Sequence, residues 1–171
     1  NKEAAEWSGP ILIWYVIGSG ILAIGSFQYY LQYAYGELKY HIRINTIFPI
    51  IALPIIYFSV ESYGALGASI AWFSIQLVSF IFWPAFIHSK FAKGHHKDWI
   101  FKDILPSVLM STIFVVAINK IDVDLLIYSR MEIFLVLIVI GMVLLLSCIL
   151  MYRETRALIR DKITFLFFMG K

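Results

Sequence analysis

Gln28 and Gln32 lie inside an apolar stretch, and with Gly18 and Gly25 they fall at offsets of seven, three and four residues, one stripe of a helix. An amide in such a stretch is costly unless it meets a partner or water. The pair either clasps neighbouring helices or lines a polar cavity. Trp72, Gln76, Ser79 and Trp83 form a second stripe at helical spacing. Rings stack on the apolar faces of sugars and amides bond hydroxyls, so this set suits sugar recognition; packing with interface anchoring is the simpler expectation. Arg43 and Asn45 stand beside Lys39 and His41. Cations give phosphate oxygens charge-assisted bonds, and Arg gives two at once, so this cluster can hold a diphosphate or serve as a plain positive anchor. His95, His96, Asp98 and Asp103 have the residue types of metal or acid–base chemistry, but their spacing fits no helical ligand pattern such as H-E-x-x-H. A solvated basic loop is the simpler expectation there. No catalytic residue, metal or cofactor is expected.

The elements that must carry these groups follow from composition. The chain has 171 residues, 61% hydrophobic and 15% charged, against about a quarter charged in soluble domains. Five apolar stretches, 10–35, 44–60, 65–87, 104–121 and 131–152, are each near the ~17–25 residues of a membrane-crossing helix. An all-α integral membrane domain is predicted. Ser8-Gly9-Pro10 reads as the first helix start, and Gly36 as its stop. Pro49, Pro54 and Pro84 predict kinks. Gly64, Gly67, Ala68 and Ala71 place small residues on one face, where another helix can approach closely. The last stretch is aliphatic on every side, which fits wide exposure to lipid. The tail, 153–171, reads as cytoplasmic, with a segment along the membrane surface.

Charge sets direction. Lys39 and Arg43, then Lys90, Lys93, Lys97 and Lys102, then Arg153, Arg156, Arg160, Lys162 and Lys171 hold eleven of the fourteen Lys and Arg in three alternate segments. Short loops rich in Lys and Arg stay in the cytoplasm, which places the N-terminus outside and the C-terminus inside. The turn Glu61-Ser62-Tyr63 and the acidic Asp122 and Asp124 fall outside. These cations would sit against anionic headgroups, and no soluble basic face exists for nucleic acid. Cys148, the single cysteine, allows no intrachain disulfide. Five spans beginning at Asn1 read as a piece of a longer protein.

The run Tyr30-Leu-Gln32-Tyr-Ala34-Tyr-Gly36, then Asn45, then Tyr63-Gly64-Ala65-Leu-Gly67-Ala68-x-x-Ala71-Trp72, then His88-x-Lys90, Trp99 and Lys102-Asp103-x-x-Pro106, resembles the C-terminal part of bacterial O-antigen flippases. These are the Wzx-type polysaccharide biosynthesis proteins of the multidrug/oligosaccharidyl-lipid/polysaccharide exporter superfamily. The resemblance covers Trp7 to about Pro106; the last two spans match only in hydrophobicity. It implies most of one lobe of a two-lobe alternating-access transporter in the inner membrane. It implies no enzyme activity, and it implies movement of undecaprenyl-diphosphate-linked oligosaccharide repeat units between leaflets. Implied partners are the lipid-linked oligosaccharide, membrane lipids, and a polysaccharide polymerase with its chain-length regulator. Gln28, Gln32, Arg43, Asn45, Trp72 and Gln76 are the expected substrate contacts. A multidrug exporter of the same superfamily, an integral-membrane enzyme on polyprenyl-linked sugars, and a plain membrane scaffold are the alternatives.

Overall fold

The computed structural model describes residues 2–120 and 129–152, and every regular element among them is helical. The elements are α1 (Lys2–Gly25), α2 (Phe27–Ala34), α3 (Lys39–Phe91), α4 (His96–Asp98), a π-helical turn (Trp99–Ile104), α5 (Leu105–Asn119) and α6 (Arg130–Met151). Asp122, Asp124 and the tail 153–171 lie outside the described residues. Four stretches are long and apolar enough to cross a membrane: Glu6–Ala34, Lys39–Phe91, His96–Ile118 and Met131–Leu150. The chain is an all-α membrane-spanning protein. It divides into two units, Asn1–Lys97 and Asp98–Lys171.

In the first unit, α1 begins at Lys2 and runs through Pro10, so Ser8-Gly9-Pro10 does not start the helix. The absent Pro10 N–H leaves the Glu6 carbonyl without its helical donor, at an exposed position where the loss is small. Ser26 separates α1 from α2, its Oγ donating to the Ala23 carbonyl at 2.6 Å. Gly36 ends α2 as expected. With φ of +68° it occupies the left-handed region. The Glu37 N–H donates to the Gln32 carbonyl at 3.0 Å and the Gly36 N–H to the Tyr33 carbonyl at 2.9 Å. Those two bonds satisfy the last carbonyls of the helix in the pattern that glycine favours.

α3 is two rods. Its 53 residues would measure about 80 Å if straight, well beyond the ~30 Å hydrocarbon core. Its dihedrals are helical except at Gly64, where φ is 62° and ψ is −150°, a region open essentially to glycine alone. The chain reverses there. Tyr40 packs edge-on to Phe86 (5.4 Å between ring centres) and to Phe91 (6.0 Å), so the two ends of α3 meet. The arms, 39–63 and 65–91, each exceed the ~20 residues of a span and contain the predicted 44–60 and 65–87. Gly64 makes the turn and nothing stands near its missing Cβ, so its role is conformational, not the packing expected of it. Gly67 carries the packing instead: a Cβ there would collide with the Ser59 carbonyl of the opposite arm. Ala71 is buried on the same arm and Ala68 is half-buried.

α1 lies against α3. Gly18 admits Trp72, whose Cδ1 would stand 2.8 Å from a Cβ at that position. Trp14 meets Phe73 at 5.0 Å and Tyr15 stacks on Trp72 at 5.6 Å, while Tyr35 meets Phe91 at 5.3 Å. One end of this unit therefore gathers Lys39, Lys90 and Lys93, with Arg43 one turn further in, and the other holds Glu61 and the start of α1. The alternation of charge along the chain becomes a segregation of charge in space.

In the second unit α5 and α6 share polar ties. The Tyr152 hydroxyl donates to the Asp103 carbonyl and bonds Ser107 Oγ, and Ser111 Oγ lies 3.9 Å from Cys148 Sγ. A capping box opens α6: the Glu132 N–H donates to Ser129 Oγ at 3.3 Å and the Ser129 N–H to Glu132 Oε2 at 2.7 Å.

Candidate functional site

The three glutamines of the two sequence stripes are the most buried large polar side chains described, with exposures of 2% (Gln28), 0% (Gln32) and 2% (Gln76). Gln32 Nε2 donates to the Gln28 carbonyl at 3.1 Å. Gln28 Oε1, Gln32 Oε1 and Gln76 Nε2 have no hydrogen-bond partner among the described residues. A buried amide left so costs about 1–3 kcal/mol, so these positions weaken the fold that contains them.

Gln76 opens onto a cavity of about 620 Å³, inside the 300–1,000 Å³ range of small-molecule sites. Three rods build it. From α1 and α2 come Ile21, Leu22, Gly25, Ser26 and Tyr29; from the first arm of α3 come His41, Ile44, Asn45 and Phe48. The second arm gives Gln76, Val78, Ser79, Phe80, Phe82, Trp83, Pro84 and Phe86. On the first arm the spacing of i, i+3, i+4 and i+7 fixes this face. One end is polar: His41 Nε2 accepts from Asn45 Nδ2 at 2.8 Å, and Tyr29 packs on the His41 ring at 4.7 Å. Ser26, Gln76 and Ser79 add polar groups elsewhere on the wall, and the rest is aliphatic and aromatic. No Lys, Arg, Asp or Glu stands among the described residues that line it. Leu22, Val78, Phe82 and Phe86 are exposed as well as lining, so the cavity opens outward along them.

No family model, curated protein or solved structure matches this chain.

Of the six substrate contacts expected from sequence, Asn45 and Gln76 share this cavity. Ser79 and Trp83 of the second stripe join them. Trp72 does not: it stacks on Tyr15, and its Nε1 donates to Ser19 Oγ at 3.4 Å. Gln28 and Gln32 are buried but do not line it. Arg43 is exposed on the first arm and also lies off its wall. Lys39 forms a salt bridge with Glu37 and lies over the Tyr40 ring at 5.0 Å. From sequence His41 reads as a neighbour of Arg43. The spacing of His41, Ile44, Asn45 and Phe48 was the signal that joins His41 to the cavity.

In the basic stretch after α3, His95, Asp98 and Asp103 are exposed, as expected of a solvated segment, and His96 is not. α3 continues past His88 to Phe91, His88 is buried, and its Nδ1 lies 2.9 Å from that of half-buried His96. Gly94, with φ of +85°, turns the chain between them. One ring must donate and the other accept across that contact. No group of three or more His, Cys, Asp or Glu that could hold a metal ion stands among the described residues.

Proposed function

We propose that this chain is part of an inner-membrane exporter that moves undecaprenyl-diphosphate-linked oligosaccharide repeat units between leaflets for surface polysaccharide, by alternating access and without chemical conversion. Its basic end faces the cytoplasm in this reading, where short Lys- and Arg-rich loops remain. The observation that carries it is the cavity among membrane-crossing rods, whose amide, hydroxyl and imidazole groups stand at intervals on an aromatic wall. A hydrophilic glycan crossing hydrocarbon loses water contacts worth several kcal/mol per polar group, and a polar path replaces them. The motif order from Tyr30 to Pro106 supports the same reading. A multidrug exporter for cations has less support, since no carboxylate lines the cavity among the described residues. An enzyme acting on polyprenyl-linked sugars has less support as well, since no paired acid and base groups line the cavity among the described residues. The polymerase and chain-length regulator of the same assembly line are the expected protein partners.

Complementation tests this. The full protein carrying Asn45→Leu and Gln76→Leu, expressed at wild-type level in a strain lacking its flippase, is expected to restore less than about a tenth of surface polysaccharide, the loss of two polar contacts. Wild-type polymer from that double variant overturns the assignment of the site.

A further inference from the structure

We infer that His88 and His96 form a pH-operated latch at the end of α3, closed while one ring donates to the other and opened when acid puts a proton on both. The latch stands on the geometry of this corner alone. Which compartment it reads rests on the transport reading above: with the basic end in the cytoplasm, it answers acidification there.

The corner is tightly built. His88 is 6% exposed and follows the fully buried Ile87. Beyond it the Ala92 N–H donates to the His88 carbonyl at 2.9 Å, and the His95 N–H to the Ala92 carbonyl at 3.1 Å. Gly94, with φ of +85°, then brings the His96 ring to 5.2 Å from the His88 ring, centre to centre, with Nδ1 facing Nδ1 at 2.9 Å. Proton counting follows from that contact. With both rings neutral, one Nδ1 carries a hydrogen and the other a lone pair. One added proton leaves the bond in place, because the donor ring takes it on Nε2. A second turns the accepting Nδ1 into another N–H, so two donors and two positive charges stand face to face. His88 would then hold its charge away from water, at a cost that drives the rings apart. The corner is therefore held at higher pH and lost as pH falls.

Imidazole is the side chain that ordinarily changes charge between about pH 5 and 8; lysine and tyrosine titrate above that range and carboxylates below it. On the same helix Lys90 lies with Nζ 5.8 Å from the centre of the Phe86 ring, and Lys93 and Lys97 are exposed in the segment that follows. From α2 and the first arm of α3, Tyr35 and Tyr40 pack on Phe91, and Lys39 is held by Glu37. Asp98, two residues after His96, pairs with Lys102 at 2.9 Å. The titratable groups whose charge acts on His88 are His96 and His95. The chain has four histidines, and the fourth, His41, lies on the cavity wall with Asn45.

The test uses the full protein in phosphatidylcholine nanodiscs, with a nitroxide on Lys93→Cys in a Cys148→Ser background. Its mobility is read by electron paramagnetic resonance at about pH 8 and about pH 5, the two sides of the imidazole range. An immobilised line is expected at the higher value and its loss at the lower, with helix content unchanged by circular dichroism. His96→Gln is the decisive variant. A glutamine amide donates to a neutral His88 and accepts from a protonated one, so the immobilised line should persist at both values. His88→Gln puts the amide on the other side of the same bond and should behave alike. His95→Gln, at an exposed position, should keep the wild-type response. A line that ignores pH with both histidines present overturns the inference. So does a pH response that survives in His96→Gln or His88→Gln, or one that disappears in His95→Gln. Failure of the transport reading looks different: normal complementation by Asn45→Leu/Gln76→Leu removes the flippase and leaves the latch standing.

Discussion

The two units of this chain solve the membrane problem in opposite ways. Residues 1–97 bury side chains: Ala52, Ser69, Ala71, Pro84, Ile87, His88 and three glutamines are withdrawn from the surroundings. Among the described residues of 98–171 not one is buried, and α6 presents Met131, Phe134, Leu137, Leu145 and their neighbours outward. The first unit resembles the interior of a machine, with close backbone approach at Gly18 and Gly67 and polar groups inside. The second has a surface made for hydrocarbon, held by a few ties from Tyr152, Ser107 and Ser111. The difference teaches where function resides. A helix that is apolar all round has its contacts supplied by lipid or by other helices. A helix that hides an amide has accepted a cost that stability alone does not explain.

The sharpest way to break this contrast is at Gly67. A side chain there meets the Ser59 carbonyl, which is backbone and cannot swing away, so Gly67→Val is expected to cost about 3 kcal/mol in reversible unfolding by SDS titration. Next is the turn. Gly64→Ala must hold φ near 62° and should cost about 2 kcal/mol in the same assay, with no steric clash to blame. In the second unit, Ser129→Ala removes the capping box and should cost about 1 kcal/mol, read as lost helicity at the start of α6 by hydrogen exchange. Gln28→Leu has the opposite sign. It deletes an unpartnered buried acceptor and should raise stability by about 1 kcal/mol; a fall would mean that the amide is partnered from outside the described residues. Leu145→Ala, on the exposed face of α6, should stay within about 0.5 kcal/mol of wild type.

Much of the architecture was legible in the sequence because hydrophobic length and turn chemistry are local. The rods around 10–35, 44–60, 65–87, 104–121 and 131–152, the stop at Gly36, and the burial of Gln28, Gln32 and Gln76 all follow from composition and spacing. Ser129-x-x-Glu132 carried a capping signature that was equally readable. The turn at Gly64 was harder. Glu61, Ser62 and Tyr63 remain helical, so the reversal takes one glycine with no loop, and that glycine also fits a packing stripe. Pro10 looked like a start because prolines favour first turns, yet an exposed helix end tolerates one further in. The cavity depends on how three rods rotate about their axes, a quantity that no single stripe contains. Hence Trp72 turns to Tyr15 while Gln76, one helical turn later, turns to Asn45's cavity. The contact of His88 with His96 needed Gly94 to bend the chain, and spacing alone does not specify that bend.

Everything functional rests on the hairpin of α3 crossing the membrane twice, with its tip and its two ends on opposite sides. Ser62 and Ser89 are both exposed and report those sides. Each is changed to Cys in a Cys148→Ser background and treated in intact cells with an impermeant thiol reagent. The account predicts that Ser62→Cys reacts at once and Ser89→Cys only after lysis. Equal reactivity at both positions, or reaction at Ser89→Cys alone, would contradict it.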